Sequence, residues 1–384
     1  MKKPLIIPYG HQTIRNDDIA EVVKVLKSNY LTQGPKVKEF EQNLADYCGE
    51  KYAVVFSSGT AALEAAYYSA GIGAGDEIIT TPLTFAATSN MILARGAKPV
   101  FVDIDSSTGN LDPKEFEKKI NKKTKSLVVV DYAGMPADLN LFKEICNKNN
   151  LVFIEDSSHA LGASFEGKKV GAIADMTIFS FHPVKSITTG EGGAVITGKK
   201  DYYERLVLFR SHGIIKDKKK FFSKSPAEWY HEMQDIGFNF RLSDICAALG
   251  VSQMRKLDKF IAKRKSIAKR YKKELSGLKN FILPKDISGR ESSWHLFVLR
   301  IIPLKKHLRN FVFTKLQNKG IGVQVHYLPV YLHPYYQMLG YKKNLCPKAE
   351  FFAESEISIP IFPTLSFRNQ SLIIKTLKEI DKML

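Results

Sequence analysis

Apolar residues recur along the first fifty positions at the spacing of one helix face. Ile19, Val22, Val23 and Leu26 predict a helix over 17–26, and Val37, Phe40 and Leu44 predict a second one running towards Cys48. Between them Ser28-Asn-Tyr-Leu-Thr-Gln-Gly34 breaks the pattern. From residue 52 onward the chain shows short continuous apolar runs instead, at 52–56, 77–80, 99–104, 126–131, 151–155 and 176–181, which suit buried strands. Helical segments separate them at 61–70, 86–95, 113–120 and 139–148. This alternation predicts an α/β fold whose largely parallel sheet is covered by helices on both faces. Functional groups in such sheets gather at the carboxyl ends of strands.

Further on, 202–209 reads as a helix and Ser243 as the N-cap of another. The spacing changes beyond Met254. A long charged helix leads to a strand over 295–302, a helix over 305–319 and a strand over 322–327. The expected division is a large domain at 1–254 and a smaller α+β domain at 255–384.

With 44% apolar and 25% charged residues, the 384-residue chain has the makeup of an ordinary globular protein. The opening apolar run is too short for a signal peptide, and no stretch is long enough to span a bilayer. Cys48, Cys146, Cys246 and Cys346 stand apart, so neither a zinc site nor a disulfide framework is expected, and a reducing cytoplasm suits them. The net charge of +18 comes mostly from lysines spread along helices, as over 256–273, where they make solvated faces. Its densest knot, over 216–224, has no nucleic-acid motif around it, so a small anionic ligand fits better than nucleic acid or a membrane.

The stretch 176–196, MTIFSFHPVKSITTGEGGAVI, places one lysine, Lys185, between two apolar runs. A surface lysine on a hairpin loop is the default reading, with His182 as a packing neighbour. Other polar clusters change those odds. The run 52–56 delivers Ser57-Ser58-Gly59-Thr60 onto a helix start, where free amides and the helix dipole bind phosphate; simple capping by Ser58 is the alternative. Asp131-Tyr-Ala-Gly134 and Glu155-Asp-Ser-Ser-His159 end two further strands. A nicotinamide fingerprint is missing, because Gly71-Ile-Gly73-Ala-Gly75 follows a helix and has the wrong spacing. A lysine amine, a buried Asp156 carboxylate, a phosphate cup and Phe85 for a ring face together describe a pyridoxal phosphate site.

The chain resembles the DegT/StrS-type nucleotide-sugar aminotransferases, of the fold-type I pyridoxal phosphate enzymes. The likeness runs from Leu31-Thr-Gln-Gly34 through Ser58-Gly-Thr-Ala-Ala-Leu63, Glu155-Asp-Ser-Ser-His159, Ser180-Phe-His-Pro-Val-Lys185 and Glu191-Gly-Gly193. It continues through Gly237-Phe-Asn-Phe-Arg241 to Val325-His-Tyr-Leu-Pro329. Asp131-Tyr-Ala-Gly134, Ser158-His-Ala-Leu-Gly162 and Arg210-Ser-His-Gly213 are most similar to a branch that works towards pseudaminic acid.

The resemblance implies a seven-stranded, mostly parallel sheet and a transamination from L-glutamate. The acceptor would be C4 of a UDP-linked 4-keto-6-deoxy-N-acetylhexosamine, UDP-2-acetamido-2,6-dideoxy-beta-L-arabino-hexos-4-ulose. It implies that Lys185 carries the cofactor as a covalent Schiff base and shuttles the proton, that Asp156 faces the pyridine nitrogen, and that His159 lies near the ring hydroxyl. Ser58, Gly59, Thr60 and Ser180 would surround the phosphate, joined by Asn239 from the other subunit of a homodimer. Tyr9, Asn29, Tyr30, Leu31, Thr32, His326 and Tyr327 would contact the sugar nucleotide. Arg241 and Arg210 are candidates for the donor carboxylates, with a structural role as the alternative for each. A related dehydratase group carries His in place of this lysine, so Lys185 favours transamination. The stretch 226–233, with Trp229 and Tyr230, lengthens a loop relative to the family pattern. The rival readings are another UDP-, GDP- or dTDP-linked keto-sugar as substrate, or a non-catalytic member of the same fold.

Overall fold

The computed structural model describes residues 7–224, 227–302 and 308–384. Its frame is a sheet of seven strands: β1 (Tyr52–Phe56), β2 (Glu77–Thr80), β3 (Lys98–Phe101), β4 (Thr124–Val130), β5 (Val152–Asp156), β6 (Met176–Ser180) and β7 (Gly193–Thr197). They lie in the order β1-β7-β6-β5-β4-β2-β3. Parallel pairing runs from β3 through to β6, and β7 is antiparallel to both β6 and β1. The reason is the connection: the helices Ala86–Ala94, Pro113–Glu117 and Leu139–Lys148 return the chain from β2 to β5, the long stretch 157–175 carries it on to β6, and 181–192 only reverses it.

Burial on both faces explains the continuous apolar runs. On one face Ala53, Val55, Phe179, Ala194 and Ile196 pack under the helix Pro35–Cys48, through Phe40 and Leu44. On the other, Val54, Phe56, Ile178 and Val195 pack under the helix Gly59–Ser69 and Phe209. Here α1 denotes Asn16–Leu26. It docks on the helix Asp244–Met254, whose N-cap is Ser243 as expected, its hydroxyl accepting from the Cys246 N–H at 3.2 Å.

That docking centres on a buried polar knot. Asp18, fully buried on α1, accepts hydrogen bonds from Lys256 Nζ at 2.6 Å and Gln253 Nε2 at 2.9 Å. Asp18→Ala leaves that lysine with Asp17 on the exposed side and the Ser252 hydroxyl at 3.4 Å, and removing one partner of a buried ion pair costs about 3 kcal/mol. The check is a lowered urea midpoint at unchanged m-value.

A second, antiparallel sheet joins β8 (Phe281–Ile282), β9 (Phe297–Ile301) and β10 (Glu356–Ile359), with β9 in the middle. Its core takes in the helices Leu308–Asn318 and Phe367–Asp381. The helix Leu257–Leu275 serves both cores: Leu257, Phe260 and Ile261 pack towards the large sheet, and Ile267, Ala268, Tyr271 and Leu275 towards the small one. Between the two sets Arg264 is buried, its Nη1 donating to the carbonyls of Trp294, His295 and Ile361.

The expected strand over 322–327 is not one. Gln324 exchanges both backbone hydrogen bonds with Ser358, but the ladder then stops. The next inward N–H, that of His326, goes to the Glu356 carboxylate at 2.5 Å, and its carbonyl accepts from the Tyr132 hydroxyl. Side chains have taken the groups a strand would pair. The helix expected over 113–120 ends at Glu117. Pro226 and residues 305–307, parts of two expected segments, lie outside the described residues. The rest of the long loop is folded onto Glu232, whose carboxylate accepts from the N–H groups of Phe222 and Ser223, and Trp229 stands 80% exposed. Among the described residues no helix is long and apolar enough to cross a membrane.

Candidate active site

Lys185 sits in the loop between β6 and β7, at the carboxyl end of the sheet. The hydroxyl residues around it are structural. Thr188 Oγ1 donates to the Phe181 carbonyl at 3.0 Å and accepts from the Gly190 N–H at 2.9 Å, while Thr189 Oγ1 donates to the Glu191 carbonyl at 2.6 Å. These bonds fix a loop that has no ladder, and Pro183 prevents it from continuing β6. The Lys185 side chain is half-buried. Loss of water around its amine pulls the pKa down to about 8, against the opposing attraction of Asp156.

Asp156 ends β5 and is buried. One carboxylate oxygen accepts from Thr88 Oγ1 at 2.8 Å and the other from Ser158 Oγ at 2.6 Å. Thr88 lies on the helix Ala86–Ala94, where Thr84 bonds its hydroxyl in turn at 2.8 Å. Behind this carboxylate lie two more, Glu155 and Asp131, both fully buried. Thr177 donates to Glu155, and Ser157 and the Ala137 N–H donate to Asp131. Burial raises both carboxyls, Asp131 to about 6 and Glu155 well above its ordinary value with the Asp131 charge adding to it.

The helix Gly59–Ser69 starts where β1 ends. Ser58 does cap it, accepting from the Ala61 N–H at 3.1 Å, which leaves the amides of Gly59 and Thr60 without an intrahelical acceptor. The ends of β6 and β7 press against this turn. A Cβ at Gly59 would lie 3.0 Å from Ser180 Cβ, and one at Gly193 would lie 2.5 Å from the Ser58 carbonyl oxygen. Only glycines allow three strand ends to meet here. Thr60 is exposed at the first turn.

Rings line the remaining side. Tyr327 hydroxyl and His159 Nε2 are 3.1 Å apart, the Tyr327 ring lies 6.2 Å from Phe85, and His159 lies 4.4 Å from His295. Tyr9 lies 5.6 Å from His326, whose Nδ1 is 2.9 Å from Ser358 Oγ. Phe85 is 63% exposed, an apolar ring with an open face. Burial first, and the Lys185 charge second, push the His159 pKa well below its ordinary value; burial brings His326 down to about 4. These imidazoles are neutral at pH 7, whereas Lys185 changes charge near neutrality. His159 Nδ1 is buried without a partner among the described residues.

The structure thus brings together Lys185, Asp156, His159, Phe85, His326, Tyr327 and Tyr9, beside the turn of Ser58, Gly59 and Ser180. It does not bring the remaining expected residues to that place in one chain. Asn29, Tyr30, Leu31 and Thr32 are exposed, pinned beside the helix Asp244–Met254 by the Asp244 N–H to Leu31 carbonyl bond at 3.0 Å. Asn239 is exposed, and its side chain makes no hydrogen bond among the described residues. Arg210 is structural: Nη1 bonds Glu41 at 2.5 Å and the Val55 carbonyl at 2.9 Å, sealing the edge of β1. Arg241 has no ion pair among the described residues and stays a candidate. His182 is exposed, not packed. Thr88, Ser158 and His295 were not singled out from the sequence. Ser158 had a signal, two positions after the strand-ending Asp156; Thr88 and His295 are placed by tertiary packing alone.

Comparison with known proteins agrees with this geometry. A family model described as the DegT/DnrJ/EryC1/StrS aminotransferase family matches residues 12–378. The chain is 40% identical over 378 residues, 98% of its length and 97% of the relative's, to a Campylobacter jejuni protein named UDP-4-amino-4,6-dideoxy-N-acetyl-beta-L-altrosamine transaminase. It is 35% identical over 384 residues, 99% of its length and 98% of the relative's, to the spore coat polysaccharide biosynthesis protein SpsC of Bacillus subtilis. Among solved structures, Helicobacter pylori PseC, an aminotransferase of pseudaminic acid biosynthesis, superposes with a TM-score of 0.91 at 36% identity, covering 98% of this chain and all of that one.

Proposed function

We propose, because the chain belongs to the DegT/DnrJ/EryC1/StrS aminotransferase family and is an aminotransferase, that it moves an amino group from L-glutamate to C4 of a UDP-linked 4-keto-6-deoxy-N-acetylhexosamine on the route to pseudaminic acid. The cofactor of this reading is pyridoxal phosphate, held covalently on Lys185. The residues fit that group. A buried carboxylate braced by two hydroxyls, a helix start with free amides, an open phenyl face and an unpartnered His159 Nδ1 offer partners to a pyridinium, a phosphate and a ring. When bound, pyridoxal phosphate supplies an electron sink for the carbon that exchanges its amino group.

The chain's own residues do the rest. Lys185 Nζ, with its pKa near 8, accepts and returns a proton at that carbon, because a fraction of it is neutral at physiological pH. Thr88 and Ser158 hold the Asp156 carboxylate in a fixed orientation at the floor of the site, with Glu155 buried behind it. Tyr327 and His159 fix each other's rings, and Phe85 beside them presents an open apolar face on which a ring can stack. Donor and acceptor react in alternation at one site, which splits a hard exchange into two easier ones.

A homodimer belongs to the proposal. Asn239 and the loop of Asn29, Tyr30, Leu31 and Thr32 stand exposed and apart from Lys185 in one chain, and a second copy would supply them to the site. Four unpaired cysteines suit the cytoplasm as its location. The single observation that carries the chemistry is the meeting of a depressed-pKa lysine with a braced, buried carboxylate at the ends of adjacent strands β5 and β6.

The likeness to SpsC favours a second reading, in which the acceptor is a different keto-sugar nucleotide. An amination assay over UDP-, GDP- and dTDP-linked keto-sugars, with products read by mass and NMR, separates the two. Turnover is expected with the UDP-linked 4-keto-6-deoxy sugar of L-arabino configuration. Reaction with a GDP or dTDP sugar alone would overturn the sugar assignment and keep the enzyme class.

A further inference from the structure

Apart from the Lys185 site, a cavity of about 80 Å³ opens between the two sheets, beside β9. Val298 on β9 and Leu296 just before it, with Tyr132, Trp294 and Phe352, give it apolar walls. Arg300 continues the same strand into the cavity, half-buried, its guanidinium 5.2 Å from the centre of the Phe352 ring. No carboxylate lies within ion-pair distance of it among the described residues. Asp105 is the nearest acid to act on it, and that acid is already engaged by the Ser107 N–H and hydroxyl and the Thr108 hydroxyl. A buried guanidinium normally has an anion or several acceptors for its five donors. Buried Arg264 has three carbonyls; Arg300 has none among the described residues.

An apolar pocket with one converging, unsatisfied cation is the usual form of a small-ligand site. We infer that this cavity binds a small carboxylate with an apolar body of about one ring, its carboxylate paired with Arg300 and its body between Tyr132, Trp294 and Phe352. The mouth lies between exposed Ser107 and Lys285, so the ligand enters without passing Lys185. The inner wall reaches the active site nonetheless: Tyr132, whose ring lines the cavity, donates its hydroxyl to the His326 carbonyl.

The test uses the cofactor-loaded protein and 4-fluorobenzoate, followed by ¹⁹F NMR line broadening, with neutral 4-fluorobenzamide in parallel. Benzoate is expected to bind saturably and the amide far more weakly. Arg300→Met, which keeps the packing over Phe352, should weaken benzoate by about tenfold or more, the worth of a charge-assisted hydrogen bond. Ser107→Trp, a change at the exposed mouth, should do the same by blocking entry. Binding should persist in saturating 2-oxoglutarate, which occupies the catalytic site of any glutamate-dependent aminotransferase. Loss of benzoate binding to 2-oxoglutarate competition, equal binding of acid and amide, or indifference to both substitutions would each overturn the inference, while leaving the aminotransferase reading untouched.

Discussion

Lys185→Ala is expected to leave a folded protein that is colourless after incubation with pyridoxal phosphate and that forms no amino-sugar. Removing a general base costs about 10²–10⁴-fold by itself. Loss of the covalent anchor adds to that, so activity should fall below detection. The wild type should be yellow and should bleach with glutamate. Lys185→Arg keeps the positive charge but not the ability to be neutral, since a guanidinium does not deprotonate, and it should fail equally. The pH dependence separates a catalytic lysine from a structural one. With a pKa near 8, about one Lys185 amine in ten is neutral at pH 7, against about one in a few thousand for an unperturbed lysine. The rate at which the cofactor-free protein takes up pyridoxal phosphate should therefore rise about tenfold per unit below pH 8 and level off above it. A rate still rising steeply at pH 10, or colour retained in Lys185→Ala, would remove Lys185 from the mechanism.

The large sheet was legible because its strands are buried on both faces and its helices on one. Tyr52–Phe56 and Glu77–Thr80 carry continuous apolar runs bounded by polar turns, and both form strands with those bounds. Local composition sufficed there. It failed at 322–327, where Val323 and Val325 alternate as in a strand but the backbone of His326 is claimed by Glu356 and Tyr132 from distant parts of the chain. No pattern within six residues carries that information.

The site divides the same way. Lys185, Asp156 and the Ser58-Gly59 turn were visible because each follows a strand end, and strand ends of a parallel sheet converge. Their supports were not. Thr88 reads as an ordinary helical hydroxyl until the helix Ala86–Ala94 is laid across the end of β5. Asp131 and Glu155 are legible as the ends of two strands, but that both carboxyls are fully buried behind Asp156 is not. The loop of Asn29 to Thr32 was expected at the site, yet its position in one chain is beside Ser243 and Asp244, which sequence spacing does not reveal.

Asp156→Asn is expected to fold normally and to lose about 10²–10³-fold in kcat, the worth of one preorganised charged group, with a smaller change in the KM for glutamate. The shape is nearly unchanged, so the loss reports charge and hydrogen bonding and not packing. The hydrogen bonding does not survive intact, because Thr88 and Ser158 both donate, and an amide presents an acceptor to only one of them. Thr88→Val tests that support separately: one hydrogen bond to a charged group is lost, about 1.5–3 kcal/mol, and kcat should fall by about tenfold or more. The two substitutions share the Asp156 carboxylate, so their effects should not add; the double variant should be little worse than Asp156→Asn. A binding readout completes the argument, since Asp156→Asn should also raise the dissociation constant for pyridoxal phosphate, measured by the return of colour on titration. Full activity in Asp156→Asn, or strict additivity with Thr88→Val, would mean that this carboxylate braces the end of β5 and takes no part in the reaction.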